Sequence, residues 1–192
     1  MARSKEFEID TVLGRAMAVF WRQGYEKTSM QDLVIAMGIH KRSMYDTFGD
    51  KHSLFIQALE RYAAMAAGRM QERLEPLSSS REGIRLLFEL MIHPAEEEPR
   101  GCLLVNTATE LALDDPLAAS RVEQSFARTE QLLELLVRQG QESGEIASSL
   151  PPAVLAACLH NALVGLRVMA RLTADRDRLE QIAEATLVLL DK

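Results

Sequence analysis

Between Gly38 and Lys51 the chain carries side chains suited to reading a polyanion: Lys41, Arg42, Ser43, Tyr45, Asp46 and Thr47, interleaved with Met44 and Phe48. On a helix, residues four apart share a face, so Met44 and Phe48 point one way and the six polar residues take the remaining surface. That polar surface makes a poor core. It suits duplex DNA instead, because Arg and Lys address guanine in the major groove while Ser, Thr and Tyr contact bases or phosphate oxygens. A solvated turn between two packing helices gives the same pattern and stays open as the alternative. Cys102 follows Arg100 and Gly101 at an expected helix N-terminus, where the dipole lowers a thiol pKa. An electrophile- or oxidant-sensing thiol and a small buried hydrophobe are both consistent with that placement. Glu96, Glu97 and Glu98 are consecutive on a proline-flanked loop, a pattern of solvated surface rather than of an acid–base pair. GxSxG, HExxH, paired CxxC and Gly-rich phosphate loops are all missing, so we expect no enzyme, no cofactor and no metal.

These residues need elements to hold them, and all the periodicity is helical, so the fold class expected is all-α. Leu13, Ala16, Met17, Phe20 and Trp21 form one apolar stripe, which Gly24 ends. Met30, Leu33, Val34 and Met37 repeat that spacing, and Gly38 stops the second helix. Thr28 or Ser29 opens it, with Thr28 and Gln31 fitting a capping box. The polar segment 41–48 follows, and Asp50 caps a longer fourth helix whose stripe is Leu54, Phe55, Ala58, Leu59, Tyr62 and Met65. Two short helices around a Gly-containing turn make a helix-turn-helix pattern over about 29–48. Helix N-termini at Ser29 and Asp50, with Lys51 beside the latter, offer donors and charge to phosphate. Pro76 and Ser78 to Ser80 break the chain. Five more helices are expected at 81–93, 102–112, 116–140, 152–174 and 176–190, about nine in all.

The 192 residues are 47% hydrophobic and 26% charged, with a net charge of −6. That composition excludes intrinsic disorder and a disulfide scaffold, and it supports a core without metal or disulfide. Cys102 and Cys158 lie in apolar runs, in keeping with a reducing cytoplasm. The polar first ten residues give no expectation of a secretory leader. The longest uncharged run, 146–166, holds Ser148, Ser149, Pro151, Pro152, His160 and Asn161, so we expect a buried helix and no membrane partner. The acidic balance argues against nucleic acid. However, residues 1–75 hold 11 Lys+Arg against 10 Asp+Glu, while the remainder holds 11 against 18, so the first third offers phosphate no net repulsion.

Residues 6–66 resemble the TetR/AcrR family of bacterial transcription regulators, through Ala16, Phe20, Gly24-Tyr25, Thr28-Ser29, Leu33, Ala36, Gly38-Ile39, Tyr45, Phe48, Lys51 and Leu54-Phe55. The resemblance implies a three-helix DNA-binding head at 6–66. It implies a helical body at 77–192 that dimerises through its last two helices and holds an effector pocket. It further implies that Thr28 and Tyr45 touch phosphates, that Lys51 anchors the fourth helix to the backbone, and that residues 41–47 read bases. Ser29, Gln31 and His40 complete the expected DNA-facing set. His40 departs from the family's usual Ser or Thr there and is a weaker cap, with a ring that could lie against the sugar-phosphate backbone.

In the body, Phe88, Met91, Cys102, Val105, Asn106, Glu110 and Phe126 are expected to line a pocket, joined by His160 and Arg167. Asn106 and Glu110 sit four apart on an apolar helix, and their partner could be a ligand, Arg85, Arg167 or a buried water. Small and branched residues (Ala153, Ala157, Gly165; Ile182, Thr186, Leu190) are expected to permit close approach of a second subunit, or else to complete a monomer core. The function that follows is a cytoplasmic, ligand-responsive regulator. We expect a repressor that binds a palindromic operator as a homodimer and is released by a small-molecule effector when the fourth helix tilts. The alternatives are a thiol- or electrophile-sensing regulator acting through Cys102, and a helical protein-interaction module without DNA binding.

Overall fold

The computed structural model describes residues 8–93 and 98–191; Glu6, Glu96, Glu97 and Lys192 lie outside the described residues. Among the described residues there are nine α-helices and no strand: α1 (Ile9–Gln23), α2 (Met30–Met37), α3 (Lys41–Phe48), α4 (Lys51–Leu74), α5 (Ser80–Ile92), α6 (Leu103–Leu111), α7 (Pro116–Ser143), α8 (Pro152–Leu172) and α9 (Arg176–Leu187), closed by a 3₁₀ turn at Val188–Asp191.

Local chemistry sets most of the boundaries. Gly38 ends α2 in the left-handed conformation, with φ 68° and ψ 30°. Its N–H reaches the carbonyls of Val34 and Ile35. Asp50 caps α4 by accepting the Ser53 N–H at 2.7 Å. Asp115 caps α7 by accepting from Leu117 and Ala118, and Pro116 between them presets the first turn. One cap differs from expectation. The capping box is Ser29 with Asp32, not Thr28 with Gln31, because Ser29 is the residue with extended backbone at the helix entry.

Apolar burial is organised in two clusters. The first runs through α1, α2, α3 and the N-terminal half of α4, then continues into α6 and the start of α7. The second joins α5, α7, α8 and α9. Thus α6 is packed into the same core as the head, although it follows the Pro76 break in sequence. Phe55 meets Phe20 edge-on at 5.1 Å, and Tyr62 meets Trp21 edge-on at 4.7 Å, so α4 is locked to α1 along the joint.

Helix α8 is long and apolar enough to cross a membrane by length and composition, with mean hydropathy 1.6 over its best window, and only 28% of that window is buried. Its inward residues Leu155, Ala156, Leu159, Leu163 and Leu166 pack into the second cluster. Its outward side stays uncovered: Val154 is 49% exposed, Val168 43% and Leu172 76%. Ala153, Ala157 and Gly165 share that outward side, and Ile182 on α9 is exposed, whereas Thr186 is half-buried. Of the two alternatives, Leu190 takes the monomer core: it is fully buried, because the 3₁₀ turn folds back and its carbonyl accepts the N–H groups of Ala147 and Ser148.

Candidate functional site

The head presents the polar side of α3 to solvent. Met44 and Phe48 are buried, Lys41, Arg42, Tyr45 and Asp46 are exposed, and Ser43 and Thr47 are half-buried. Arg42 and Asp46 stand 3.7 Å apart across one turn, both on open surface, so the pair is weak and leaves the guanidinium free to exchange partners. The Lys41 ammonium lies 6.0 Å from the Tyr45 ring centre and that of Lys51 lies 4.3 Å from the Tyr25 ring centre. Stacking on Tyr25 holds Lys51 at the α4 N-terminus. His40 makes no cap bond and its side chain is exposed, which leaves the first N–H groups of α3 open. Gln31 and Ser29 are exposed as well. Thr28 is a correction. It is 1% exposed, its hydroxyl donates to the Gly24 carbonyl at 2.6 Å and its N–H reaches the Tyr25 carbonyl, so it shapes the turn into α2 rather than facing a phosphate.

In the body, a cavity of about 610 Å³ opens between α4, α6, α7 and α8. Met91, Cys102, Val105, Phe126, His160 and Arg167 line it. Phe88, Asn106 and Glu110 do not. Phe88 is 1% exposed within the second cluster, because α5 turns that face onto the core of the bundle. Asn106 and Glu110 do share a face of α6, but it is the face turned toward the head. The Asn106 amide reaches the Trp21 carbonyl at 3.4 Å. The Glu110 carboxylate accepts the N–H groups of Tyr25 and Glu26 at 3.0 and 2.9 Å, across the turn between α1 and α2. Neither uses Arg85 or Arg167: Arg85 pairs with Glu184, and Arg167 donates to the Met91 thioether and approaches the Gly101 carbonyl.

The cavity wall is apolar with a few polar groups. His160 sits edge-on to Phe126 at 5.1 Å; burial pushes its pKa down, and Glu130 at 3.6 Å opposes this without overcoming it. The Tyr62 hydroxyl, buried between α4 and α6, is pushed above its ordinary range, first by desolvation and then by the neighbouring Cys102, while Arg167 acts against the shift. Cys102 is the N-cap residue of α6 and is buried, whereas Cys158 is exposed on the outer side of α8. Sequence reasoning missed the wall supplied by the second half of α4, where Ala63, Ala66, Ala67 and Met70 face the space. The small residues Ala63, Ala64, Ala66, Ala67 and Gly68 are its only sign: side chains that short leave room on a helix flanked by bulkier ones.

A further head–body contact has no signal in the sequence. His52 on α4 bonds the Asp115 carboxylate at 2.8 Å, and Tyr25 stands edge-on to the His52 ring. Burial opposes ionisation of Asp115, but the Ala118 N–H and His52 outweigh it and hold its carboxyl below the usual range. Together with Glu110, Asn106 and the Arg121–Glu60 ion pair at 2.7 Å, this contact clasps the body to the head. Among the described residues no group of three or more His, Cys, Asp or Glu is placed to hold a metal ion.

Comparison with known proteins agrees at both ends of the chain. The family model "Bacterial regulatory proteins, tetR family" matches residues 12–58, and "Tetracyclin repressor-like, C-terminal domain" matches 81–186. The uncharacterized HTH-type transcriptional regulator YezE of Bacillus subtilis is 34% identical over 194 residues, covering 100% of both chains. The HTH-type transcriptional repressor ComR of Escherichia coli is 33% identical, covering 97% of this chain and 90% of its own. Among solved structures, a cysteine mutant of the TetR family regulator CifR, complexed with 26-base-pair operator DNA, superposes with a TM-score of 0.87 at 31% identity over 97% of this chain and 98% of its own.

Proposed function

The chain belongs to the TetR family of DNA-binding transcriptional regulators, and on that premise we propose that it is a ligand-responsive repressor acting as a homodimer on a palindromic operator. The family assignment removes the protein-interaction module without DNA binding. One observation carries the reading: the polar side of α3 is turned outward on a head whose inward residues, Met44 and Phe48, are fully packed. In this reading α3 lies in the major groove, Lys41, Arg42, Ser43, Tyr45, Asp46 and Thr47 meet base edges and backbone, and Lys51 with Ser29, Gln31 and His40 sets the register on phosphates.

Support for the dimer comes from the uncovered apolar side of α8, continued by Ile182, Val188 and Leu189. A lone head makes too few phosphate contacts for specific binding, whereas a two-fold pair with heads about 34–36 Å apart reads two half-sites. The repressor role is supported by the description of ComR as a repressor. Release is supported by the cavity and by the clasps: a ligand touching Val105 and Cys102 presses on the helix whose far end, Glu110, grips the turn before α2. A body shape that shifts α6 and tilts α4 would re-space the heads, and the ligand acts by favouring that shape. The cytoplasmic location follows from the need to reach DNA.

Selection from a random duplex pool tests the proposal. The expected outcome is enrichment of an inverted repeat, bound with an affinity that falls steeply with salt. Equal retention of all duplexes, or enrichment of a single half-site bound by monomers, overturns it. The thiol-sensing alternative keeps one supporting observation, the place of Cys102 in the cavity wall beside Tyr62. If iodoacetamide leaves operator binding of the unmodified chain unchanged, that alternative is finished.

A further inference from the structure

Arg167 sits where three spaces meet. It lines the 610 Å³ cavity, a second chamber of about 230 Å³, and a small recess of about 70 Å³ toward the end of α8. Among the described residues it has no carboxylate partner, and its bonds go to a thioether, a weak acceptor, and to one carbonyl at 3.5 Å. A guanidinium offers five donors, so most of its capacity is left for something else. The other charges around the large cavity, Glu75 and Arg128, are exposed at the rim and opposite in sign. Deeper in, Tyr62 is 2% exposed with its hydroxyl near Arg167 and Cys102. The N-terminus of α6, which carries no side-chain cap, lines the same end of the cavity through Cys102 and Leu104. On the far side of Arg167 the smaller chamber holds Arg69, Arg73 and His93; among the described residues Arg69 is paired with Glu98 and His93 with Glu180. At the divide itself, Arg167 without a carboxylate partner among the described residues and the uncapped N-terminus of α6 favour negative charge, while Ala63, Ala66, Ala67, Phe126, Leu132 and Leu163 make the rest of the wall apolar.

We propose that the effector is an amphiphilic anion, a carboxylate with an apolar body, whose charged end lies against Arg167 and Tyr62 and whose body fills the space between α4 and α7. This rests on the ligand-responsive reading above and specifies the ligand's class. A carboxylate matches the planar fork of the guanidinium, and the cavity volume falls within the usual range for small-molecule sites. His160, held toward its neutral form by burial, faces the apolar body beside Phe126 and supplies no competing cation.

The test displaces Nile red, a neutral dye, from the full-length protein with three probes of one chain length: decanoate, decanol and decylamine. Decanoate is expected to bind at least ten-fold more tightly than decanol, with decylamine weakest. In Arg167→Met that advantage should vanish, in Arg167→Lys it should return in part, and Tyr62→Phe should reduce it at the cost to the fold of a single lost hydroxyl. Decanol or decylamine binding as tightly as decanoate overturns the anionic class, as does a preference that survives in Arg167→Met. If the dye and all three probes are excluded, the ligand-binding reading itself fails, and the anionic class with it.

Discussion

Gly24→Ala and Glu110→Ala form a cycle that tests whether one carboxylate clasps the head to the body. Gly24 has φ 83° and ψ 176°, a region that is essentially glycine's alone, so alanine there costs about 2 kcal/mol in backbone strain. Its Cβ would also stand 2.7 and 2.9 Å from the two Glu110 oxygens. The carboxylate can swing aside, but only by giving up the Tyr25 and Glu26 N–H groups that it accepts at 3.0 and 2.9 Å. Hydrogen bonds to a charged group contribute about 1.5–3 kcal/mol when shielded, and their partial exposure brings the pair to about 2 kcal/mol together. Gly24→Ala should therefore lower the unfolding free energy by about 4 kcal/mol and Glu110→Ala by about 2 kcal/mol. The double variant should lose about 4 kcal/mol rather than about 6, because the same two bonds can be lost only once. Urea unfolding of the full chain at one fixed protein concentration measures this, so that association under the proposed dimer reading enters every variant alike. Effects that add to within about 0.5 kcal/mol would refute the clasp.

Lys51→Ala should weaken binding to specific and random duplexes alike and reduce the salt slope by about one, whereas Arg42→Ala should relax preference at particular base pairs by about 1–3 kcal/mol; equal losses on both duplexes would refute the Arg42 assignment, as read by competition binding. Gly165→Leu places its Cβ in open space at an exposed position of one protomer and relieves a helical glycine penalty of about 1 kcal/mol, so the fold should be kept while sedimentation shifts from the proposed dimer to monomer. Asp115 has a folded pKa below its unfolded value of about 3.9. Its contribution to stability is thus complete at neutral pH and is lost as pH falls from about 4 through the folded value. Asp32, Asp50, Glu145 and Asp191 are lowered too, so the check is the difference between profiles: Asp115→Asn should show a shallower acid limb than the unmodified chain.

Short-range chemistry makes much of this protein legible in its sequence alone. The 3–1–3–1 stripe of α1, Gly38 after Met37 and the start of α7 at Pro116 each act within one turn of helix. So does the split of α3 into Met44 and Phe48 inside and a polar surface outside. The cap of α2 is harder to read, because Thr28 and Ser29 compete and the backbone at Ser29 decides. What sequence does not supply is direction at long range. Spacing alone puts Asn106 and Glu110 on one face of α6, but whether that face meets a cavity or the head depends on how α6 is wedged between α1 and α7. The same holds for Phe88, on the broad apolar side of α5, and for Leu190, whose burial requires the chain end to return to Ala147 and Ser148. Helical period fixes which residues travel together; only the packing of one helix on another fixes what they meet. The cavity beside Arg167 exists because the small residues of α4, far away in the chain, face it across the bundle.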